Sequence, residues 1–341
     1  HWPGRGSRQA ETAQAVSAAE TTGPGKASVA TVAIVGGGVI GAGWIGRYLH
    51  RGADVRVFDP DPEAERKIND VLANAETAFE MLYGVAPVKG TLSYHSDLKD
   101  AVAGAAIVHE SVPERLDLKQ RVHAEITGAA GPDTIICTST SGLLPTKIQE
   151  GLDQPGNLIV AHPFNPVYLL PLVELVAGQQ TAADVMDRAA KIFDAVGMKP
   201  LKVRKEIDAF IADRLLEAVW RESLWLVKDG IATTEEIDDA IRYGFGLRWA
   251  QMGLFQTYHT AGGEVGMRAF IEMFKPSLHW PWTKLMDVPE LDDALIDAIA
   301  DGVEEQARGM TARDLERQRD KNLVGILHAL KANNWGAGTL V

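Results

Sequence analysis

The feature that most constrains this chain is a short apolar run that breaks directly into glycine. Val29-Ala30-Thr31-Val32-Ala33-Ile34-Val35 has the length and content of a buried parallel strand, and Gly36-Gly37-Gly38-Val39-Ile40-Gly41 follows without a spacer. Strand, G-x-G-x-x-G turn, helix (expected over 42–51) and second strand (54–58) make one crossover unit of a doubly wound, mainly parallel sheet. Gly36 permits the tight turn, Gly38 lets the backbone approach a pyrophosphate, and Gly41 allows close packing of helix on strand. With Gly37, Val39 and Ile40 they form a loop whose N–H groups suit phosphate. The overlapping register Gly41-Ala42-Gly43-Trp44-Ile45-Gly46 starts too far inside the helix for that task, and its glycines are read as packing sites.

Asp59 stands at the tip of the second strand, 18 residues beyond Gly41, and is followed by Pro60 and Asp61 with no arginine. A carboxylate there accepts hydrogen bonds from ribose hydroxyls and repels a 2′-phosphate, so the expected cofactor is NAD and not NADP. A long helix follows over 63–83. A third strand over 105–109 leads to Glu114 and Lys119, expected to face the nicotinamide half. Another strand over 134–137 leads to the hydroxyl-rich loop Thr138-Ser139-Thr140-Ser141-Gly142, in which a serine can bond a substrate oxygen.

Leu158-Ile-Val-Ala161 reads as a strand that ends abruptly at His162-Pro163-Phe164-Asn165-Pro166, since proline cannot extend a ladder. That puts His162 at a strand end on an open loop. Leu172–Val176 resumes a strand and carries one carboxylate, Glu174, among apolar neighbours. A buried carboxylate needs a partner, and an imidazole so paired has its tautomer fixed and its basicity raised.

Beyond an amphipathic helix (182–196) and a short strand (199–203) the alternation stops. Ile207, Phe210, Ile211, Leu215, Ala218 and Trp225 mark one long helix. Thr233-Thr234-Glu235-Glu236 reads as a cap opening a helix that Gly244-Phe245-Gly246 ends, and two further helices span 291–306 and 312–331. The fold expected is therefore a Rossmann-type α/β domain over 29–205 followed by an all-helical domain over 206–341. Residues 1–28, rich in Ala, Thr, Gln and Glu, read as a disordered leader and not a secretory signal. The long apolar helical faces suggest a homodimer.

Composition excludes other classes. A net charge of −12 argues against a nucleic-acid partner. No apolar run approaches the roughly 18 residues of a membrane span. Cys137 is the only cysteine of the 341 residues, which fits a reducing cytoplasm, and no metal site is expected.

Together, Gly36-x-Gly38-x-x-Gly41 with Asp59, Glu114 with Lys119, Ser141, His162-Pro-Phe-Asn165-Pro and Glu174 resemble the L-3-hydroxyacyl-CoA dehydrogenase family in order and spacing over about residues 29–260. The resemblance implies NAD-dependent oxidation of a 3-hydroxy acid derivative, with His162 as general base, Glu174 orienting it, and Ser141 and Asn165 holding the substrate oxygen. There are departures. Where the family has Gly-Phe-Ile-x-Asn-Arg this chain has Ala209-Phe210-Ile211-Ala212-Asp213-Arg214, and Met-Gly-Pro-Phe becomes Met252-Gly-Leu-Phe255.

Phe164–Glu174, Trp280–Leu285 and Arg317–Leu323 are most similar to family members that act on L-carnitine. The helix after Asp59 agrees: between Asp61 and Tyr83 there are two bases and six acids, a net −4, where coenzyme A would need cations. Asp213, Trp249, Phe255 and Tyr258 are candidates to line a site for a trimethylammonium group. Two other readings remain: a dehydrogenase of another hydroxy substrate, such as gulonate or a 3-hydroxyacyl-CoA, and an NAD-binding structural protein of the crystallin type.

Overall fold

A computed structural model describes residues 31–341 apart from 263, 265, 286, 288, 289 and 291; the expected leader lies outside the described residues. The strands are β1 (Thr31–Val35), β2 (Asp54–Phe58), β3 (Leu92–His95), β4 (Ile107–Glu110), β5 (Ile135–Thr138), β6 (Leu158–Pro163), β7 (Leu172–Ala177) and β8 (Lys199–Lys202). They form one sheet in the order β3-β2-β1-β4-β5-β6-β7-β8. Every neighbouring pair is parallel except β6 and β7. The chain reverses direction of growth between β3 and β4, so the carboxyl ends of β1 and β4 flank a crevice, the usual ligand position in such sheets.

Helices α1 (Val39–Leu49), α2 (Ala64–Tyr83), α3 (Leu98–Val102), α4 (Leu116–Ala129), α5 (Pro145–Gln149) and α6 (Val185–Ala195) cover the sheet. Two apolar layers result. Trp44, Ile45, Tyr48, Ile68 and Phe193 lie in one; Val102, Ile126, Ile136 and Ile148 lie in the other. Burying each large side chain contributes about 1.5–3 kcal/mol. The expected doubly wound α/β class is what forms.

The second half is helical: α7 (Ala212–Lys228), α8 (Thr234–Ala240), α9 (Gly246–Ala261), α10 (Met267–Phe274), α11 (Asp293–Ala307) and α12 (Ala312–Ala332). The predicted cap at Thr233 is present as a reciprocal box, its hydroxyl accepting from Glu236 N while the Glu236 carboxylate accepts from Thr233 N. Three local expectations are corrected. The long helix does not begin at Ile207: Ala209 and Phe210 are left-handed, at φ 60° and 50°, and α7 starts only at Ala212. Gly244-Phe245-Gly246 does not end its helix but forms a kinked π turn, Ile241–Phe245, that runs into α9. The third is that His162 and Pro163 are part of β6 and pair with Glu174 and Val173. Beyond Val160 the strand is bonded to β7 alone, an edge, where proline is tolerated.

The last helix returns to the first domain. Val324 and Leu327 of α12 join Phe79, Leu82 and Tyr83 of α2 in one apolar cluster, and Tyr168 donates to Asp320 at 2.5 Å.

The glycines of α1 set how the segment after His162 is held. A methyl group on Gly43 would lie 2.9 Å from Val167, and one on Gly46 3.2 Å from Ala75. Directly after Gly46, Arg47, buried in α1, donates to the carbonyls of Val167 at 3.0 Å and Leu170 at 3.1 Å. Burial, reinforced by Arg51, draws the Arg47 guanidinium down to about 10, still fully charged at neutral pH.

His109 of β4 is wholly buried, 4.1 Å from the Trp44 ring by centroids and 3.0 Å from the Tyr48 hydroxyl through Nε2. Burial lowers it to about 3, so the unfolded chain takes this proton first. Its contribution to stability is complete above about pH 6.5 and declines as pH falls from there toward 3, at up to about 1.4 kcal/mol per pH unit. Imidazole NMR should show His109 neutral at pH 5; a titration midpoint near its ordinary value would refute the assignment.

Candidate active site

The glycine loop has the geometry that its sequence demands. Gly36, at φ 98°, donates to Phe58 O at 2.9 Å, and a side chain on it would meet Ser111 O at 2.8 Å. A methyl group on Gly41 would sit 1.8 Å from Gly36 O, so helix and loop touch backbone to backbone there. At Gly38, by contrast, a methyl group would meet nothing within 4 Å, and this residue is the N-cap of α1, with no side-chain cap hydrogen bond. Open space in front of uncapped first-turn N–H groups fits a pyrophosphate. Asp59 closes the loop from the other side: one carboxylate oxygen accepts from Gly37 N at 2.6 Å and the other from Asp61 N at 2.7 Å. Each oxygen has a second acceptor site, so ribose hydroxyls can still be bound. The cations at the start of α2 are already matched, Lys67 to Asp61 and Arg66 to Glu63. The residues present fit a dinucleotide.

His162 and Glu174 are directly opposite each other on β6 and β7. Nδ1 of His162 lies 3.0 Å from Oε2 of Glu174, and both side chains are buried. The other oxygen of Glu174 accepts from Ile211 N and Ala212 N, each at 3.0 Å. One carboxylate therefore orients the imidazole and caps the first helix of the helical half. An ionised carboxylate only accepts, so the neutral imidazole that satisfies this contact is the one with its proton on Nδ1 and its lone pair on Nε2. Asp213, in the first turn of α7, brings Oδ2 to 3.6 Å from Nε2, too long for a hydrogen bond but close enough for charge to act. Burial raises the Asp213 carboxyl above its ordinary value, and Glu174, Glu217 and Glu114 push the same way against the opposing effect of His162.

Asn165 and Ser141 are exposed on loops that leave β6 and β5. The hydroxyl loop is organised by Glu114, which accepts from the Thr140 hydroxyl and from Ser141 N at 3.2 Å. Lys119 is not where it was expected. It is buried, donates to Glu110 at 2.8 Å and to Val112 O at 3.1 Å, and touches the half-exposed Glu114 only at 3.5 Å. It supports the loop from beneath instead of facing the crevice.

The aromatic candidates also separate. Trp249 packs on Phe245 and Tyr258 stacks on Phe270, while Phe255 is 75% exposed. The principal contacts of α9 run to the π turn and α10, not to β6 or β7. The rings that flank His162 are Phe164 at 4.8 Å and Phe210 at 5.7 Å.

Sequence reasoning missed Glu110. Its two oxygens collect Val112 N, Lys119 Nζ, His123 Nε2 and Thr138 Oγ1, all within 2.9 Å. Burial alone would raise its pKa, but these partners prevail and hold it at about 2. A partial signal was available, because Glu110 directly follows the expected strand 105–109, although it closes β4 and does not sit within it as Glu174 sits within β7. Among the described residues no group of three or more His, Cys, Asp or Glu is placed to hold a metal ion.

Comparison with known proteins places this geometry. The family description "3-hydroxyacyl-CoA dehydrogenase, NAD binding domain" matches residues 31–207, and "3-hydroxyacyl-CoA dehydrogenase, C-terminal domain" matches 210–298. An L-carnitine dehydrogenase/betainyl-CoA thioesterase of Ruegeria pomeroyi is 61% identical over 91% of this chain, and this chain spans 64% of that protein's length. An L-carnitine dehydrogenase of Mesorhizobium japonicum is 56% identical, covering 90% of this chain and 86% of the relative. The crystal structure of 5-formyl-3-hydroxy-2-methylpyridine 4-carboxylic acid 5-dehydrogenase, an NAD-dependent dismutase, superposes with a TM-score of 0.74 at 26% identity, covering 89% of this chain and 99% of that one. With both halves matched in order and relatives alike over nine-tenths of its length, the chain belongs to the 3-hydroxyacyl-CoA dehydrogenase family.

Proposed function

We propose that this chain oxidises L-carnitine to 3-dehydrocarnitine with NAD as the acceptor, His162 being the general base. The observation that carries the chemistry is the Glu174–His162 pair, which leaves Nε2 as the free acceptor nitrogen at the carboxyl ends of the strands. The substrate is supported by the names of the relatives above and by the acidic surroundings of His162.

Gly36–Gly41 and Asp59 would hold NAD, which would supply the acceptor for the hydride of the carbinol carbon. The chain's own residues handle the rest. Nε2 of His162 takes the hydroxyl proton as the C–H bond breaks, and Glu174 stabilises the imidazolium that results. Ser141 and Asn165 hold the oxygen as it becomes a carbonyl. Gly36–Gly41 bind the pyrophosphate, and Asp59 binds the ribose hydroxyls.

We also propose that the chain acts as a homodimer in the cytoplasm. Helix α7 buries only Leu224 of its own residues, and Leu215, Leu216 and Trp220 are all more than half exposed. Apolar faces of that kind are covered in stable assemblies. Among the described residues no helix is long and apolar enough to cross a membrane. Sedimentation should give twice the chain mass at micromolar concentration; a monomer there would refute the dimer.

The test of function is NADH formation with L-carnitine, D-carnitine, gulonate and a 3-hydroxyacyl-CoA side by side. L-Carnitine should be the best substrate, and His162→Asn should lower kcat by at least about a hundredfold with NADH binding retained. Efficient turnover of the acyl-CoA or of gulonate, or of none of the four, overturns the substrate, and near-normal turnover in His162→Asn overturns the base.

Cofactor preference is tested separately. NAD should exceed NADP in kcat/KM by about two orders of magnitude or more, because the Asp59 carboxylate would meet the 2′-phosphate. Comparable values in the unmodified protein would remove Asp59 from that role.

A further inference from the structure

We propose that Asp213 reads both the charge and the handedness of the substrate, its carboxylate taking the trimethylammonium arm on one side of His162. The inference rests on the oxidation proposed above and adds a specificity-determining residue to it.

The geometry is simple. The substrate hydroxyl must lie within hydrogen-bond reach of His162 Nε2, and Oδ2 of Asp213 is 3.6 Å from that same nitrogen. In a 3-hydroxy-4-trimethylammonio acid the ammonium nitrogen is three bonds from the hydroxyl oxygen, about 3–4 Å away. Whichever arm lies on the Asp213 side can thus bring its charge to about 4–6 Å from the carboxylate, the range over which neighbouring charges act strongly. Asp213 is partly shielded from water, with its side chain 26% exposed, and Glu114, Glu174 and Glu217 add negative potential around it. An ammonium is drawn to that position and a carboxylate is repelled from it.

Handedness follows from the fixed points. With the hydroxyl on Nε2 and the carbinol hydrogen directed at the nicotinamide, exchanging enantiomers swaps only the two remaining arms. One enantiomer puts its ammonium beside Asp213; the other must put its carboxylate there. The neutral amide of an asparagine, which the family has at this position, could not make that distinction by charge.

Asp213→Asn and Asp213→Glu in the full chain, with NAD, provide the test. In Asp213→Asn the KM for L-carnitine should rise at least about tenfold, and the L/D ratio of kcat/KM should fall by a similar factor. Asp213→Glu, which keeps the charge, should keep most of the preference. Binding is read independently of turnover by titrating the NADH complex with 4-trimethylammoniobutanoate and with 5,5-dimethylhexanoate, its uncharged-arm isostere. The unmodified protein should favour the first by about tenfold or more, and Asp213→Asn should lose that preference. Absence of L-carnitine turnover in the unmodified protein would sink the oxidation proposal alone. Equal binding of the two ligands to the unmodified protein, or an unchanged KM and L/D ratio in Asp213→Asn, would overturn the role of Asp213.

Discussion

The carboxylate of Glu174 is the point on which the molecule turns. Buried between two strands, it would be costly to leave without partners, and it satisfies both oxygens with different parts of the chain. One oxygen fixes the imidazole tautomer. The other accepts the first N–H groups of α7, where the helix's positive end adds to the attraction. The imidazole proposed as the base and the helix that brings Asp213 to it are therefore held by a single group. Phe210, buried against Val160, Val176 and Val203, pins the turn between them, although its own backbone is in a left-handed conformation that costs about 1–3 kcal/mol.

Around this joint the remaining supports are polar groups placed under loops. Arg47 reaches from α1 to the carbonyls that follow the histidine. Glu110 and Lys119 form a buried pair beneath the loop of Glu114, and Glu114 in turn holds Thr140 and Ser141. The exposed groups assigned to the substrate oxygen thus stand on loops whose backbones are fixed from below. Such layering keeps reacting groups within the small tolerances that catalysis needs.

Much of this was legible in the chain itself. The glycine loop, Asp59 and the His162–Glu174 pair are local or near-local, and each carries a chemical cost or conformational demand that betrays its purpose. Glu110 could have been read by the logic applied to Glu174. What escaped was set by how side chains pack, not by how far apart they lie in the chain. Lys119 looked like a loop cation because its spacing from Glu110, nine residues earlier, does not reveal that both side chains turn inward beneath the loop. The aromatic residues of α9 looked like a lining because helical periodicity does not reveal which layer a face meets. The start of α7 was misplaced because the apolar pattern of Ile207, Phe210 and Ile211 continues into the helix while the backbone does not. Phe164, next to the histidine, was passed over in favour of more distant rings.

The bond from Gly37 to Asp59 joins two traits that are usually treated apart. The carboxylate proposed to discriminate between dinucleotides is also a strut of the loop proposed to grip their common pyrophosphate. Any attempt to re-engineer the coenzyme by replacing Asp59 with a neutral or cationic residue removes that strut as it opens room for the extra phosphate. A redesigned enzyme would therefore have to restore a partner for the Gly37 N–H before it could gain from the new charge. If Asp59 has the proposed role, selectivity for the coenzyme and the rigidity of its cradle are inherited together as a single character.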